Sequence, residues 1–362
     1  MATPDIQAIL DGNTHKTIPV EAYDSLKLIP PTIPTPEFDP MIHLTYYANG
    51  DNAKAFYEST RRLTMEELGL TNPKQISDIG VSDPFQLFTD EAITIMRKEV
   101  LHKETFMKYA RYSYNSTSGM DCVIRGFVKD KEEIICPFIY SAWTHPKTME
   151  LISRMAGVEL EIIMDYEIAH TNISMKSSNE AEEERIKHQQ ELVRRGSTGD
   201  DIPAVVGWHY DSYPFVCVLM LSDTSNMIGG ETSLRMGNGN VAIVPSPIKG
   251  SANVLQGRLI EHIAPLPLGM SERITMVTSY RAKNPKINDG SVLSTVKPEV
   301  NWGSRYTEFY SDWIDYRIKL MKEKLDLINA EKLSDSGKFD KTKTSEALKE
   351  VEDYLRQTYA DM

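Results

Sequence analysis

Between residues 158 and 283 the chain is a succession of short apolar runs that glycine and proline interrupt. Val158–Met164, Ile168–Met175, Phe215–Leu221, Thr232–Met236, Val241–Val244, Asn253–Ile263 and Arg273–Tyr280 each read as strand, the sixth broken at Gly257. Gly229-Gly230-Glu231 and Gly237-Asn238-Gly239-Asn240 mark tight turns, and Pro245 and Pro247 close one run. Strands this short, with turns this close, bury their apolar faces only as a sandwich or a barrel. This spacing predicts a β core over 158–285 into which a polar helix, 178–196, is inserted.

The flanks read differently. Residues 1–40 form an extended arm, because Pro30, Pro31, Pro34, Pro36 and Pro40 forbid a regular helix, and Ile18, Leu26, Leu28 and Ile29 suit packing across the body. Residues 41–157 are mixed and rich in helix signals. A helix is expected over 52–68. Thr89 caps another whose first turn holds Asp90 and Glu91, and His145-Pro146 opens a third that Gly157 ends. Residues 122–127 and 133–140 read as β or irregular. Residues 286–362 are helical: Tyr306, Phe309, Tyr310, Trp313, Leu320, Met321, Leu325 and Ile328 recur at helical spacing, and a last helix covers 345–359. The aromatic helix at 304–330 covers the core or makes a homodimer contact. The expectation is an α+β chain folded as one compact unit.

Composition excludes several function classes. The 362 residues carry a formal charge of −12 and no basic block, which argues against a nucleic-acid partner. No run is long and apolar enough to span a membrane, and the first residues lack the pattern of a secretion signal. Cys122, Cys136 and Cys217 form no spaced metal or disulfide framework and suit a reducing, cytoplasmic setting.

The chemistry concentrates in Gly207-Trp208-His209-Tyr210-Asp211. On a strand, residues i and i+2 share a face, so the His209 imidazole and the Asp211 carboxylate enter one cavity. His262, near the end of another β-like run, offers a third ligand. Two histidines and one carboxylate that leave coordination positions open suit a non-haem Fe(II) centre. Eleven residues on, Arg273-Ile274-Thr275 places a guanidinium and a hydroxyl on one face, and a guanidinium in a dry cavity needs an anion. His170, Asn172 and Ser174 also share a strand face suited to lining a cavity. Continuing the alternation from Arg273 brings in Val277, Ser279 and Arg281. Arg281, Arg125, Tyr213 and Trp143 are candidate pocket residues, Arg281 to meet a substrate carboxylate. His15, His43, His102, His145 and His188 have no comparable context and read as structural.

His209-Tyr210-Asp211, His262 and Arg273-Ile274-Thr275, in this order and on β runs, resemble the Fe(II)/2-oxoglutarate-dependent oxygenase superfamily. The Asp83–Thr89 and Trp208–Phe215 segments are similar to fungal members of specialised metabolism. The resemblance implies a double-stranded β-helix, or jelly roll, with flanking N-terminal and C-terminal helices. It implies iron held by His209, Asp211 and His262, and 2-oxoglutarate chelating that iron while its far carboxylate meets Arg273 and Thr275, with Asn172 beside them. It implies O2 as co-reactant, an Fe(IV)-oxo species, and release of succinate and CO2. The substrate is read as a small molecule such as an amino acid or a derivative, with His170, Tyr213, Arg281 and Arg125 as candidate contacts. A cupin-like metal protein or isomerase without 2-oxoglutarate chemistry is the alternative, and it has no specific use for Arg273.

Overall fold

The strand Glu272–Ala282 is the spine of the protein, and its alternation sets two faces. The structure is a computed structural model that describes residues 17–25, 35–113, 120–195, 207–264, 267–333 and 336–362. Leu26, Leu28, Ile29, Pro30, Pro31 and Pro34 of the expected arm, and the loop after residue 195, lie outside the described residues. The strands, in chain order, are β1 Arg62–Thr64, β2 Ile79–Ser82, β3 Phe85–Gln86, β4 Ala110–Tyr112, β5 Met120–Ile124, β6 Lys129–Asp130, β7 Glu133–Ile134 and β8 Leu160–Ile162. They continue as β9 His170–Met175, β10 Phe215–Met220, β11 Thr232–Arg235, β12 Val241–Val244, β13 Ser251–Leu255, β14 His262–Ile263 and β15 Glu272–Ala282. The major sheet runs β1-β2-β13-β10-β15-β9-β5-β4, with β3 on β13 and β8 on β15. A smaller sheet runs β12-β11-β14. The pairings of both sheets are antiparallel.

The outer face of the major sheet carries Ile274, Met276 and Tyr280 of β15, Cys217 and Leu219 of β10, and Ile173 of β9. All are buried in one cluster with Ile93, Met96, Trp143, Leu151 and Ile152 from the N-terminal helices Asp90–Val100, Pro137–Thr144 and Pro146–Ala156. The inner face meets the smaller sheet: Val81, Val216 and Leu255 pack against Leu234 and Val244. Along β9 the burial alternates, with Thr171 and Ile173 enclosed and His170, Asn172 and Ser174 only half-buried. That contrast is the signature of a filled outer face and a partly open inner one.

Several expected elements are present as read. Thr89 accepts from Ala92 N–H to cap its helix, the His145 ring accepts from Lys147 N–H, and Gly157 closes that helix in the left-handed conformation. The inserted helix is Ser178–Arg195. Others differ. The helix expected over 52–68 is Gly50–Ser59, followed by β1. Residues 133–140 divide between β7 and a helix opened by Pro137. Asn253–Ile263 is not one strand: β13 lies in the major sheet and β14 in the minor one, with the chain crossing between them at Gly257.

The helix Tyr306–Glu331 buries Phe309, Trp313, Tyr316 and Leu320 against Tyr166, Tyr213, Leu293 and, from the helix Lys341–Ala360, Tyr354. Leu325 of the expected stripe is 44% exposed, beyond the reach of that cluster. The joint is polar at its centre. Asp289 accepts hydrogen bonds from Tyr316, from Tyr354 Oη at 2.6 Å, from Ser291 Oγ at 2.5 Å and from Arg317 Nη1 at 3.1 Å. A buried carboxylate with one matched cation and three hydroxyl donors is stable in place, and it is costly to strip of partners. Among the described residues, no helix is long and apolar enough to cross a membrane.

Glu99 links two of the covering helices. Its carboxylate accepts from Phe138 N–H at 3.1 Å and Ile139 N–H at 2.9 Å, capping the first turn of the next helix. Burial raises it to about 7, against the pull of those two bonds. A carboxyl raised on folding binds its proton more tightly in the folded state, so stability falls as pH rises from the unfolded value towards 7. Glu99→Gln removes that titration. From about pH 5 to about pH 8 the variant is expected to gain on the order of 2 kcal/mol relative to wild type, read by urea melts at the two pH values. A constant difference between the two proteins would show that Glu99 is already ionised at the lower pH.

Candidate metal centre

His209 and His262 come from different parts of the chain and meet through their backbones. His209 N–H donates to His262 O at 3.0 Å, and His262 N–H returns to His209 O at 2.9 Å. This reciprocal pair puts the two imidazoles side by side, with ring centroids 4.4 Å apart. Each ring is then oriented by its own chain: His209 Nδ1 is 2.8 Å from Gly207 O, and His262 Nδ1 is 2.9 Å from Ile260 O. A carbonyl can only accept, so each Nδ1 holds the proton and each Nε2 keeps its lone pair for a ligand. Burial, and then the facing His262, lower the pKa of His209, which favours the neutral form that binds metal.

Asp211 offers the third candidate ligand atom. Its Oδ1 lies 3.9 Å from His209 Nε2 and 3.7 Å from His262 Nε2. One ligand atom from each of the three residues falls within 4.8 Å of the others. Asp211 Oδ2 is enclosed and has no hydrogen-bond partner. An orphaned carboxylate oxygen beside two converging lone pairs fits a divalent cation and is otherwise unfavourable. Asp211 follows no regular strand here. Its N–H donates to Gly257 O at 2.9 Å, and the carboxylate lies where a side chain at 257 would be: a Cβ there would come 1.8 Å from Oδ2.

Sequence reasoning used Gly257 only as a strand break, and that break was the available signal of a close approach. It missed the buttress behind Asp211 altogether. Ser212 O accepts from Val292 N–H at 2.8 Å, and Ser212 Oγ bonds Thr295 Oγ1 at 2.7 Å and Thr295 N–H at 3.0 Å. Arg258 Nε donates to Gly290 O at 3.0 Å. The residues following Asp211 and Gly257 are thus both tied to the segment that Asp289 anchors.

Arg273 and Thr275 lie on the inner face, as alternation requires. Arg273 pairs across with Ser174, and Thr275 with Asn172 on one side and Met220 on the other. Arg273 Nε is enclosed without a partner. Burial alone lowers the guanidinium to about 10, with no carboxylate among the described residues beside it to oppose the shift. The arginine side chain does not give up its proton at neutral pH, so the site holds an uncompensated cation.

The remaining pocket candidates are placed differently. Arg281 is on the same alternating face but is matched by Glu161 at 3.0 Å and by Glu323 at 3.3 Å, so it fastens the helix Tyr306–Glu331 to the sheet and does not await a substrate carboxylate. Tyr213 is buried in the C-terminal aromatic cluster and donates to Glu167 Oε1 at 3.0 Å. Arg125, 1% exposed, pairs with the same Glu167. Trp143 lies on the outer side, its Nε1 on Met276 Sδ at 3.2 Å. His170 alone among these four and itself keeps a half-open place on the inner face, with Nε2 enclosed and without a partner.

No family model matches the chain, and no curated protein matches it. Among solved structures, the chain resembles several 2-oxoglutarate-Fe(II) oxygenases. A 2OG-Fe(II) oxygenase family oxidoreductase from Burkholderia pseudomallei is 15% identical, over 46% of this chain and 71% of that one, with a TM-score of 0.31. A prolyl-4-hydroxylase from Pseudomonas putida is 14% identical, over 57% and 94%, with a TM-score of 0.32. A prolyl 4-hydroxylase structure from Phytophthora capsici is 10% identical, over 91% and 92%, with a TM-score of 0.37.

The cradle at Gly257 gives a direct test of the ligand set. Gly257→Ala is expected to displace the Asp211 carboxylate and weaken Co(II) binding by roughly 10- to 100-fold, read from the visible spectrum of the Co(II) protein. Its far-UV circular dichroism should be unchanged. Wild-type affinity in this variant would remove Asp211 from the ligand set.

Proposed function

We propose that the chain is an Fe(II)- and 2-oxoglutarate-dependent oxygenase acting on a small metabolite, with its major sheet and the β12-β11-β14 sheet forming a double-stranded β-helix around the site. The observation that carries this reading is the presence of two incomplete charges: a three-residue cluster with an orphaned carboxylate oxygen, and an unmatched guanidinium on the inner face of the major sheet. A dicarboxylate that chelates a metal at one end and pairs with Arg273 at the other completes both.

Iron and 2-oxoglutarate, when bound, supply the oxidising chemistry. The chain's own residues bind and orient. His209 and His262 would hold the iron through Nε2, each kept in its tautomer by a backbone carbonyl. Asp211 would neutralise part of its charge. Arg273 pairs with the distal carboxylate, and the Thr275 hydroxyl, almost fully buried, adds a hydrogen bond there. Asn172, across from Thr275, borders the same anion. Val218 and Val277, paired on that face, keep water from the reacting centre. A metal protein of cupin type without 2-oxoglutarate leaves Arg273 with no role. A cytoplasmic setting and a place in specialised metabolism belong to the same reading.

The wild-type protein is expected to release succinate only when both Fe(II) and 2-oxoglutarate are present, and His209→Ala to release none. Arg273→Ala should weaken 2-oxoglutarate binding by on the order of 100-fold, read anaerobically from the visible absorption of the Fe(II) protein, because it removes the partner of a buried carboxylate. Undiminished binding in that variant, or succinate formation by His209→Ala, would sink the proposal.

A further inference from the structure

His170 is a polar group of the inner face that neither the metal nor the dicarboxylate uses. It stands directly across β15 from Val277, one step beyond the Asn172–Thr275 pair. β10 runs antiparallel beside it, with Val218 facing Val277, and begins four residues after Asp211. His170 therefore sits between the Arg273 end of the face and the end where the metal strand enters. Its Nε2 is enclosed with no partner, and an enclosed ring nitrogen is costly unless something bonds to it.

The charge around it is closed. Arg125 is the cation whose charge acts on it, and that charge is matched by Glu167, both 1% exposed, with the Tyr213 hydroxyl on the same carboxylate. Arg281, further along the face, is matched by Glu161 and Glu323. Burial, with Arg125 adding to it, drives the pKa of His170 well down against an opposing side-chain hydrogen bond with Asn172, so the imidazole is neutral and Nε2 is the ring atom left without a partner. Asp121 pairs across with Ser174 on β9, four residues from His170 or about 13 Å along the strand, at the Arg273 end. A carboxylate brought to His170 would leave a net negative charge buried. An ammonium there would face Arg125 with no free acid beside it. A hydroxyl satisfies a neutral imidazole in either tautomer, because it both donates and accepts. The neighbouring Val277 and Val218 offer apolar contact to the carbon that bears it.

We propose that His170 is the recognition group for an uncharged, hydroxyl-bearing part of the substrate. The inference rests on the oxygenase reading above.

The test uses the full chain loaded with Zn(II) as a redox-inert stand-in, with its histidine rings labelled in 15N. Binding of 2-oxoglutarate is measured first by calorimetry. Benzyl alcohol, benzoate and benzylamine are then titrated at millimolar concentration while the ring nitrogen signals of His170 are followed. Benzyl alcohol should shift those signals and bind at least 10-fold tighter than either charged probe. His170→Leu should lose that preference and His170→Gln should keep part of it, because the amide still donates and accepts. Equal or tighter binding of benzoate or benzylamine, no shift with any probe, or an unchanged preference in His170→Leu overturns the proposal. If 2-oxoglutarate does not bind the loaded wild type, the oxygenase reading falls and takes this one with it. If it binds and the alcohol does not, this one falls alone.

Discussion

Two backbone hydrogen bonds between His209 and His262 hold the candidate centre together. They join the segment entering the major sheet to a strand of the minor one. Without them the two imidazoles would belong to separate sheets, and Asp211 would have no partners to converge with. Because the bonds are between main-chain atoms, side-chain substitutions nearby cannot replace or abolish them directly. The ligands' own backbones set the position of the site, and the rings need only one carbonyl each to fix their orientation.

A second support lies behind Asp211. Ser212 and Arg258 are both held by the 289–295 segment, and Asp289 ties that segment to Arg317, Tyr316 and Tyr354. The C-terminal helices thus take part in placing a candidate metal ligand, although none of their side chains reaches the triad. Arg281 belongs to the same system, fastening the sheet to the helix Tyr306–Glu331 through Glu323.

Local patterns made much of this legible. Alternation alone put Arg273 with Thr275, and His170 with Asn172, on shared strand faces, and the i, i+2 relation of His209 and Asp211 anticipated their convergence even though Asp211 follows no regular strand. Capping chemistry placed the helices that begin after Thr89 and His145. What escaped the sequence depends on distant partners. Nothing local in Arg281 says that Glu161 and Glu323 will neutralise it, and nothing in Tyr213 says that Glu167 will take its hydroxyl. The division of Asn253–Ile263 between two sheets was invisible because both halves mix apolar with polar residues in a way that suits a strand. Gly257 marks the crossing, but only the neighbouring carboxylate explains why it must lack a side chain.

The unmatched charge on Arg273 reaches beyond the reaction. A folded chain that encloses a cation without a partner is less stable than the same chain with an anion seated there, and any anion that binds only the folded form shifts the folding balance towards it. At a concentration 100 times the dissociation constant that shift is about 2.7 kcal/mol. For a marginally stable protein, this changes the population open to proteolysis by roughly two powers of ten. The abundance of the protein would then follow the supply of its dicarboxylate.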